Sequence, residues 1–208
     1  KGRSTNPDQS HLWYDSLRGG GKELYTDSPS AEGAAASNNL REFNDDGFMI
    51  NTGDGSNINT GTYVAWCWKA GNKTTNVSTN LTNCTNVTQS VNVDAGFAIT
   101  RYKSIASASV VFPHNLGKAP EWILVKNRND SNGWMVWHKD LTAGNNNLRF
   151  HDNVAMTSSG SGYINAPTST LINLEAGGGN VSGASGHSYM CYAWTGIEGY
   201  SKFGIYKG

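Results

Sequence analysis

The side chains able to do chemistry are few and scattered. There are five histidines, His11, His114, His138, His151 and His187. Two stand close to a carboxylate, His138 with Asp140 and His151 with Asp152, which are residue types of a triad or a metal site. No GxSxG elbow, HExxH helix or dense acidic cluster accompanies them, so they read as turn or edge histidines making local hydrogen bonds. Glycoside cleavage needs two carboxyl groups facing each other across a cleft. Asp15, Glu23, Asp45, Asp46 and Glu175 are available, but sequence spacing does not bring any two together. Asp45-Asp46-Gly47 and Asp152-Asn153 fall short of a calcium loop's ligand count and read as turns. The three cysteines, Cys67, Cys84 and Cys191, show no CxxC or Cys/His spacing. They read as unpaired thiols used as small apolar residues, with a disulfide through Cys84 as the alternative in an oxidising compartment. No catalytic residue, metal ligand or cofactor is assigned, and the expectation is a protein that is not an enzyme.

Binding is the better-supplied function. Aromatic rings cover sugar faces, and Asn or Asp side chains bond sugar hydroxyls. Trp13, Trp134 and Trp137 flank turns, although their alternation with polar neighbours also suits a core. The candidate ligand-contact residues are Arg18 and Lys22 of a glycine-rich loop, Trp134, and Asn145 and Asn146 of a second loop.

The elements that position these residues follow from composition and pattern. The chain has 208 residues, with 16 Lys plus Arg against 16 Asp plus Glu, and charged residues make up only 15%. No basic stripe supplies phosphate contacts, which argues against nucleic acid. No apolar run approaches the ~18 residues of a membrane span, and no signal-peptide pattern is present, so membrane insertion is not expected. Gly is abundant at 25, Pro sparse at 5, and short apolar runs alternate with Asn, Ser and Thr, which is the composition of an all-β protein.

Two of those runs match each other. Tyr63-Val64-Ala65-Trp66-Cys67-Trp68 is echoed by Tyr189-Met190-Cys191-Tyr192-Ala193-Trp194. At period two, Tyr189, Cys191 and Ala193 share one face and Met190, Tyr192 and Trp194 the other, and neither face carries a charge. Both runs therefore read as central, doubly covered strands, with Tyr63, Trp66, Trp68, Tyr189, Tyr192 and Trp194 as structural core. Further segments align in order: Lys1–Arg3 with Lys126–Arg128, Leu12–Leu17 with Val136–Leu141, Phe48–Ile50 with Leu171–Leu174, and Gly96–Lys103 with Gly199–Lys207. The expected organisation is two tandem, related β-sandwich units of jelly-roll or lectin-like type, cut out of phase with the repeat. Residues 1–94 form a first unit lacking its first strands, 95–196 a complete second unit, and 197–208 the first strand of a further one. That last strand completes the first unit or pairs with a neighbouring molecule. Residues 72–92 read as an exposed polar insert with weak strand character, whose triplets at Asn72, Asn76, Asn80, Asn83 and Asn86 fit the N-glycosylation pattern by composition alone. The chain looks like a piece of a longer polypeptide.

Three runs carry a family resemblance: Leu116–Lys126 (Leu-Gly-x-Ala-Pro-x-Trp-Ile-Leu-Val-Lys), Tyr63–Gly71 and Glu198–Gly208, supported by Asp15–Gly19. They resemble a repeated β-domain family of tailed bacteriophages, common in marine and environmental phage genomes and found in tail-fibre and other virion surface proteins. The resemblance implies a virion location and a structural, adhesive role, with host-surface recognition by loops. The partners it implies are a host glycan or other receptor, and copies of the chain itself as a homo-oligomer or other virion proteins. A building block of a fibre, filament or capsid decoration assembled by strand pairing is the alternative, and a polysaccharide-cleaving tailspike a third. No catalytic residue can be carried over from the family.

Overall fold

The computed structural model describes residues 10–34, 39–51, 56–71, 73–141, 147–153, 163–177, 179–183 and 185–207. The fold is all-β, with no helix among the described residues. In chain order the strands are β1 (Leu12–Trp13), β2 (Lys22–Tyr25), β3 (Gly33–Ala34), β4 (Leu40–Asn44), β5 (Gly47–Ile50), β6 (Thr75–Val77) and β7 (Cys84–Asn92). They continue with β8 (Phe97–Ser104), β9 (Val110–Pro113), β10 (Trp122–Asn127), β11 (Met135–His138), β12 (Leu148–Arg149), β13 (Leu171–Leu174) and β14 (Ser188–Trp194).

Seven of them make one antiparallel sheet in the order β12-β11-β10-β14-β8-β7-β6. β14 lies at its centre, between β10 and β8, where both rows of its backbone groups are paired. Its parity is the one that period two dictates. Tyr189, Cys191 and Ala193 pack on one face with Tyr102, Ile123, Val125, Met135 and Trp137, under the β9-β13 ribbon that adds Val110, Phe112, Ile172 and Leu174. Met190, Tyr192 and Trp194 pack on the other with Phe97, Ile99, Leu124, Trp134 and Val136. That second face is covered by the N-terminal segment through Trp13, Leu17 and Leu24. The result is a layered sandwich, held by apolar burial on both sides of a single sheet.

The N-terminal layer is also anchored by charge. Asp15 Oδ2 accepts from Arg18 Nε at 2.5 Å and from the Tyr192 hydroxyl at 2.7 Å. Arg18 donates further to the Lys22 carbonyl at 2.9 Å, the Trp13 carbonyl at 3.0 Å and Glu32 Oε2 at 3.3 Å. Glu32 in turn takes two hydrogen bonds from Arg128, just past β10, at 2.7 and 2.8 Å. Buried charge is tolerable when each lone pair and proton is matched in this way.

Two expectations are corrected. Residues 72–92, expected as an exposed insert with only weak strand character, contain β6 and β7, and β7 is the longest strand among the described residues and is partly buried. Thr88, Gln89 and Ser90 are buried. For Gln89 and Ser90 the polar composition hides this because groups distant in sequence take the hydrogen bonds: Gln89 Nε2 donates to Thr100 Oγ1 at 3.0 Å and to the Pro113 carbonyl, Gln89 Oε1 accepts from Asn115 at 2.6 Å, and Ser90 Oγ donates to the Ala70 carbonyl at 3.1 Å. The sheet therefore runs across the boundary expected at residues 94–95, because β7 pairs with β8.

The second correction concerns Tyr63–Trp68, expected as a buried central strand. It belongs to no strand; Trp66 is 68% and Trp68 46% exposed, and Cys67 is exposed too. A central strand needs a neighbour on each side, as β14 has in β10 and β8. Among the described residues no strand flanks Tyr63–Trp68. Likewise 197–207 contains only an Ile197–Ser201 bridge and no strand, so the described tail does not complete a first unit.

Candidate functional site

Of the residues singled out for ligand contact, Arg18 is buried and its guanidinium is taken up by the network above. Burial alone would lower its pKa, but the neighbouring Tyr192, Asp15 and Glu32 outweigh that and raise it, so it stays charged. Trp134 is fully buried, with Nε1 donating to the Tyr25 carbonyl at 2.7 Å, so it is a core residue rather than a sugar platform. Its position before β11 places it on the inner face, where parity with Val136 decides. Lys22 is exposed at the start of β2. Asn145 and Asn146 lie outside the described residues. Among the described ones, Arg18 meets Lys22 only at its backbone carbonyl, and the buried Arg18 and Trp134 share no open surface with the exposed Lys22 side chain. Tyr189, Tyr192 and Trp194 are buried as expected of core positions, and Tyr63 is half-buried.

Three histidines accept backbone N–H groups, and two stand within 3.2 Å of a carboxylate, His151 Nε2 at 3.2 Å from Asp152 Oδ2 and His187 Nδ1 at 2.8 Å from Asp130 Oδ2. His138 Nδ1 accepts the Asp140 N–H at 3.2 Å, His151 Nδ1 accepts the Trp134 N–H at 3.2 Å, and His114 Nδ1 accepts the Leu116 N–H at 3.1 Å. Asp45 and Asp46 form the β4-β5 turn. All three cysteines are free; burial raises the Cys84 thiol to about 11 and lifts Cys191 further. Among the described residues no three His, Cys, Asp or Glu side chains gather as a metal site.

The structure offers a different surface. An open groove of about 580 Å³ runs between the turn after β14 and the ends of β10 and β11, lined by Glu121, Lys139, Glu198, Tyr200, Lys202 and Phe203 among others. Each wall has a local cause. Glu121 continues the edge of β10: its N–H donates to the Trp194 carbonyl at 2.7 Å, its own carbonyl accepts the Lys139 N–H at 2.9 Å, and Oε1 accepts the Gly196 N–H at 3.0 Å. Lys118 Nζ donates to the Gly196 carbonyl from the other side. Those bonds fix the start of the turn, which Gly199 closes with φ +75° while Ser201 and Tyr200 donate to the Ile197 carbonyl at 2.8 and 3.0 Å. A turn this tight lifts Tyr200 clear of the surface, 71% exposed. Phe203 packs back toward Trp122, ring centroids 6.0 Å apart, and Trp122 stacks on Trp194 at 4.6 Å. The groove thus combines an exposed ring, two carboxylates and two ammonium groups with the ring of Phe203. This arrangement suits a ligand with an apolar face and polar edges. Sequence reasoning missed it, although Glu198-Gly199-Tyr200, an aromatic beside a turn glycine, was the signal that could have located it.

One lysine has an unusual environment. Lys126, on β10, has no exposed surface, and its ammonium donates to the Asn127 carbonyl at 2.6 Å. Burial lowers its pKa to about 8, partly offset by the charges of Asp130 and Glu32.

No curated protein and no solved structure matches the chain. A family model does: residues 1–208 match a domain of unknown function, DUF7483, and the chain belongs to that family.

Proposed function

We propose that this domain is a non-enzymatic recognition module of a virion appendage such as a phage tail fibre, binding host-surface glycan through loops. The observation that carries the reading is the groove beneath Tyr200, where a solvent-facing ring stands beside Glu121, Glu198, Lys139 and Lys202. An exposed aromatic and flanking polar groups are what a saccharide needs, with the ring taking the apolar sugar face and the charges bonding hydroxyls. The backbone N–H groups that occupy Nδ1 of His114, His138 and His151, and the full engagement of Asp15, support a binding role over a hydrolytic one. A glycan array followed by a cell-binding assay tests it. Saturable binding by the intact chain that Tyr200→Ala abolishes is expected, and blank results in both would sink it.

A second reading, an assembly block of a fibre or capsid decoration, is favoured by a different observation. Trp66, Trp68, Ile205 and Tyr206 are all exposed large apolar side chains, and such surfaces mark association sites.

A further inference from the structure

At the centre of the sheet β14 lies antiparallel on β8, with Trp194 opposite Phe97, Ala193 opposite Ala98, Tyr192 opposite Ile99, Met190 opposite Arg101 and Tyr189 opposite Tyr102. The two end pairs are stacked rings, Phe97 on Trp194 at 4.6 Å and Tyr102 on Tyr189 at 5.0 Å. The chain carries a second version of each strand, Tyr63–Trp68 for β14 and Gly199–Lys207 for the β8 region. In the folded chain these second versions stay out of any strand and are not paired with each other. They present exposed side chains: Trp66 and Trp68 in one, Tyr200, Ile205 (66% exposed) and Tyr206 (95%) in the other.

We propose that Tyr63–Trp68 of one molecule pairs with Gly199–Lys207 of a second copy of this chain, antiparallel and in the register of β14 on β8. The transferred register sets Trp68 opposite Tyr200, Cys67 opposite Ser201, Trp66 opposite Phe203, Val64 opposite Ile205 and Tyr63 opposite Tyr206. Every one of these pairs then matches in kind: aromatic with aromatic, aliphatic with aliphatic, small with small. Lys202 is the one extra residue and forms a bulge, as β7 does on β8 between Thr85 and Thr88. Charge agrees as well. Lys69 and Glu198, both exposed, come side by side at the end of the pair. The occupant is another molecule because within one chain both segments are present and remain apart, with Phe203 seated on Trp122. Each molecule offers one strand of each kind at different places, so the contact is head-to-tail and propagates into a filament. This inference rests on the assembly reading, and because it engages Tyr200 and Phe203 it competes with glycan binding in the groove those residues line.

The native Cys67 makes the register testable in the full chain with Ser201→Cys. Under mild oxidation the expected products are dimers and longer multimers joined by a disulfide from Cys67 to the thiol introduced at position 201. Their yield should rise with protein concentration and fall at least tenfold when Trp66→Asp is added. Peptide mapping of the cross-link identifies the pair. Links only between two Cys67 residues, a concentration-independent link within one chain, or no link would overturn the register. Sedimentation of the unaltered chain separates the two levels. Assembly of that chain, with no link from Cys67 to the introduced thiol in the variant, leaves the assembly reading standing and removes this pairing. A monomer at every concentration removes both.

Discussion

The Tyr192 hydroxyl donates to Asp15 Oδ2 at 2.7 Å, joining residues 177 positions apart in sequence. Asp15 belongs to the N-terminal layer and Tyr192 to the central strand, and the same oxygen also accepts from Arg18. Tyr192→Phe deletes one hydrogen bond and leaves the ion pair, at a cost of about 1–2 kcal/mol. Asp15→Ala leaves the Arg18 guanidinium buried without its nearest counter-charge, and costs about 3–5 kcal/mol. Urea unfolding of both variants is expected to show that order, Asp15→Ala clearly the worse. Equal losses would mean that the charge contributes nothing beyond the hydrogen bond.

Glu32 sits between Arg128 and Arg18. Burial alone would raise its pKa, but the Arg128 hydrogen bonds and the charges of both arginines hold it below the ordinary 4.5. A carboxylate depressed in the folded state stabilises fully above about pH 4.5, and the contribution fades as pH falls through the folded value. Glu32→Gln is expected to cost about 2 kcal/mol at pH 7 and to flatten the acid limb of the stability profile. A profile parallel to wild type would contradict this.

Lys126 gives the opposite pH signature. Its folded pKa of about 8 lies below the ordinary 10.5, so between these values the unfolded chain binds the additional proton. Stability is therefore expected to rise with pH across that window. Lys126→Met fills a similar buried volume without charge and should stabilise the protein by about 2 kcal/mol at pH 7 while erasing the alkaline rise. Thermal melts from about pH 6 to about pH 10.5 read both effects.

Tyr200 is largely solvent-facing, so Tyr200→Ala should change stability by no more than about 0.5 kcal/mol. On the recognition reading it weakens saccharide binding at least tenfold, about 1.4 kcal/mol. Calorimetric titration with any glycan the intact chain binds checks this. Unchanged affinity would move the contact to another surface.

The sequence disclosed parity better than partners. In Ser188–Trp194 the alternation of small and bulky residues correctly divides the two faces, because period two is a property of the strand itself. The same pattern in Tyr63–Trp68 suggested a buried strand that the structure does not form. Burial needs flanking chains, and a hexapeptide does not record whether they are present. β7 illustrates the reverse case. Gln89 and Ser90 look like loop residues until the Thr100, Pro113, Asn115 and Ala70 groups that bond them are placed beside them. Arg18 was legible as a charge beside glycines. Its burial depended on Asp15, Glu32 and Tyr192, which only the fold brings within reach.

The exposed Trp68 is not optically isolated. Its ring stacks on Trp13 at 5.9 Å, inclined by 24°, and Trp13 meets Tyr192 edge-on at 5.0 Å. Indoles this close share their excited states. Whatever settles on the Trp66–Trp68 segment therefore changes near-ultraviolet dichroism and emission without an attached dye. The protein contains its own spectroscopic gauge of whether that segment is covered.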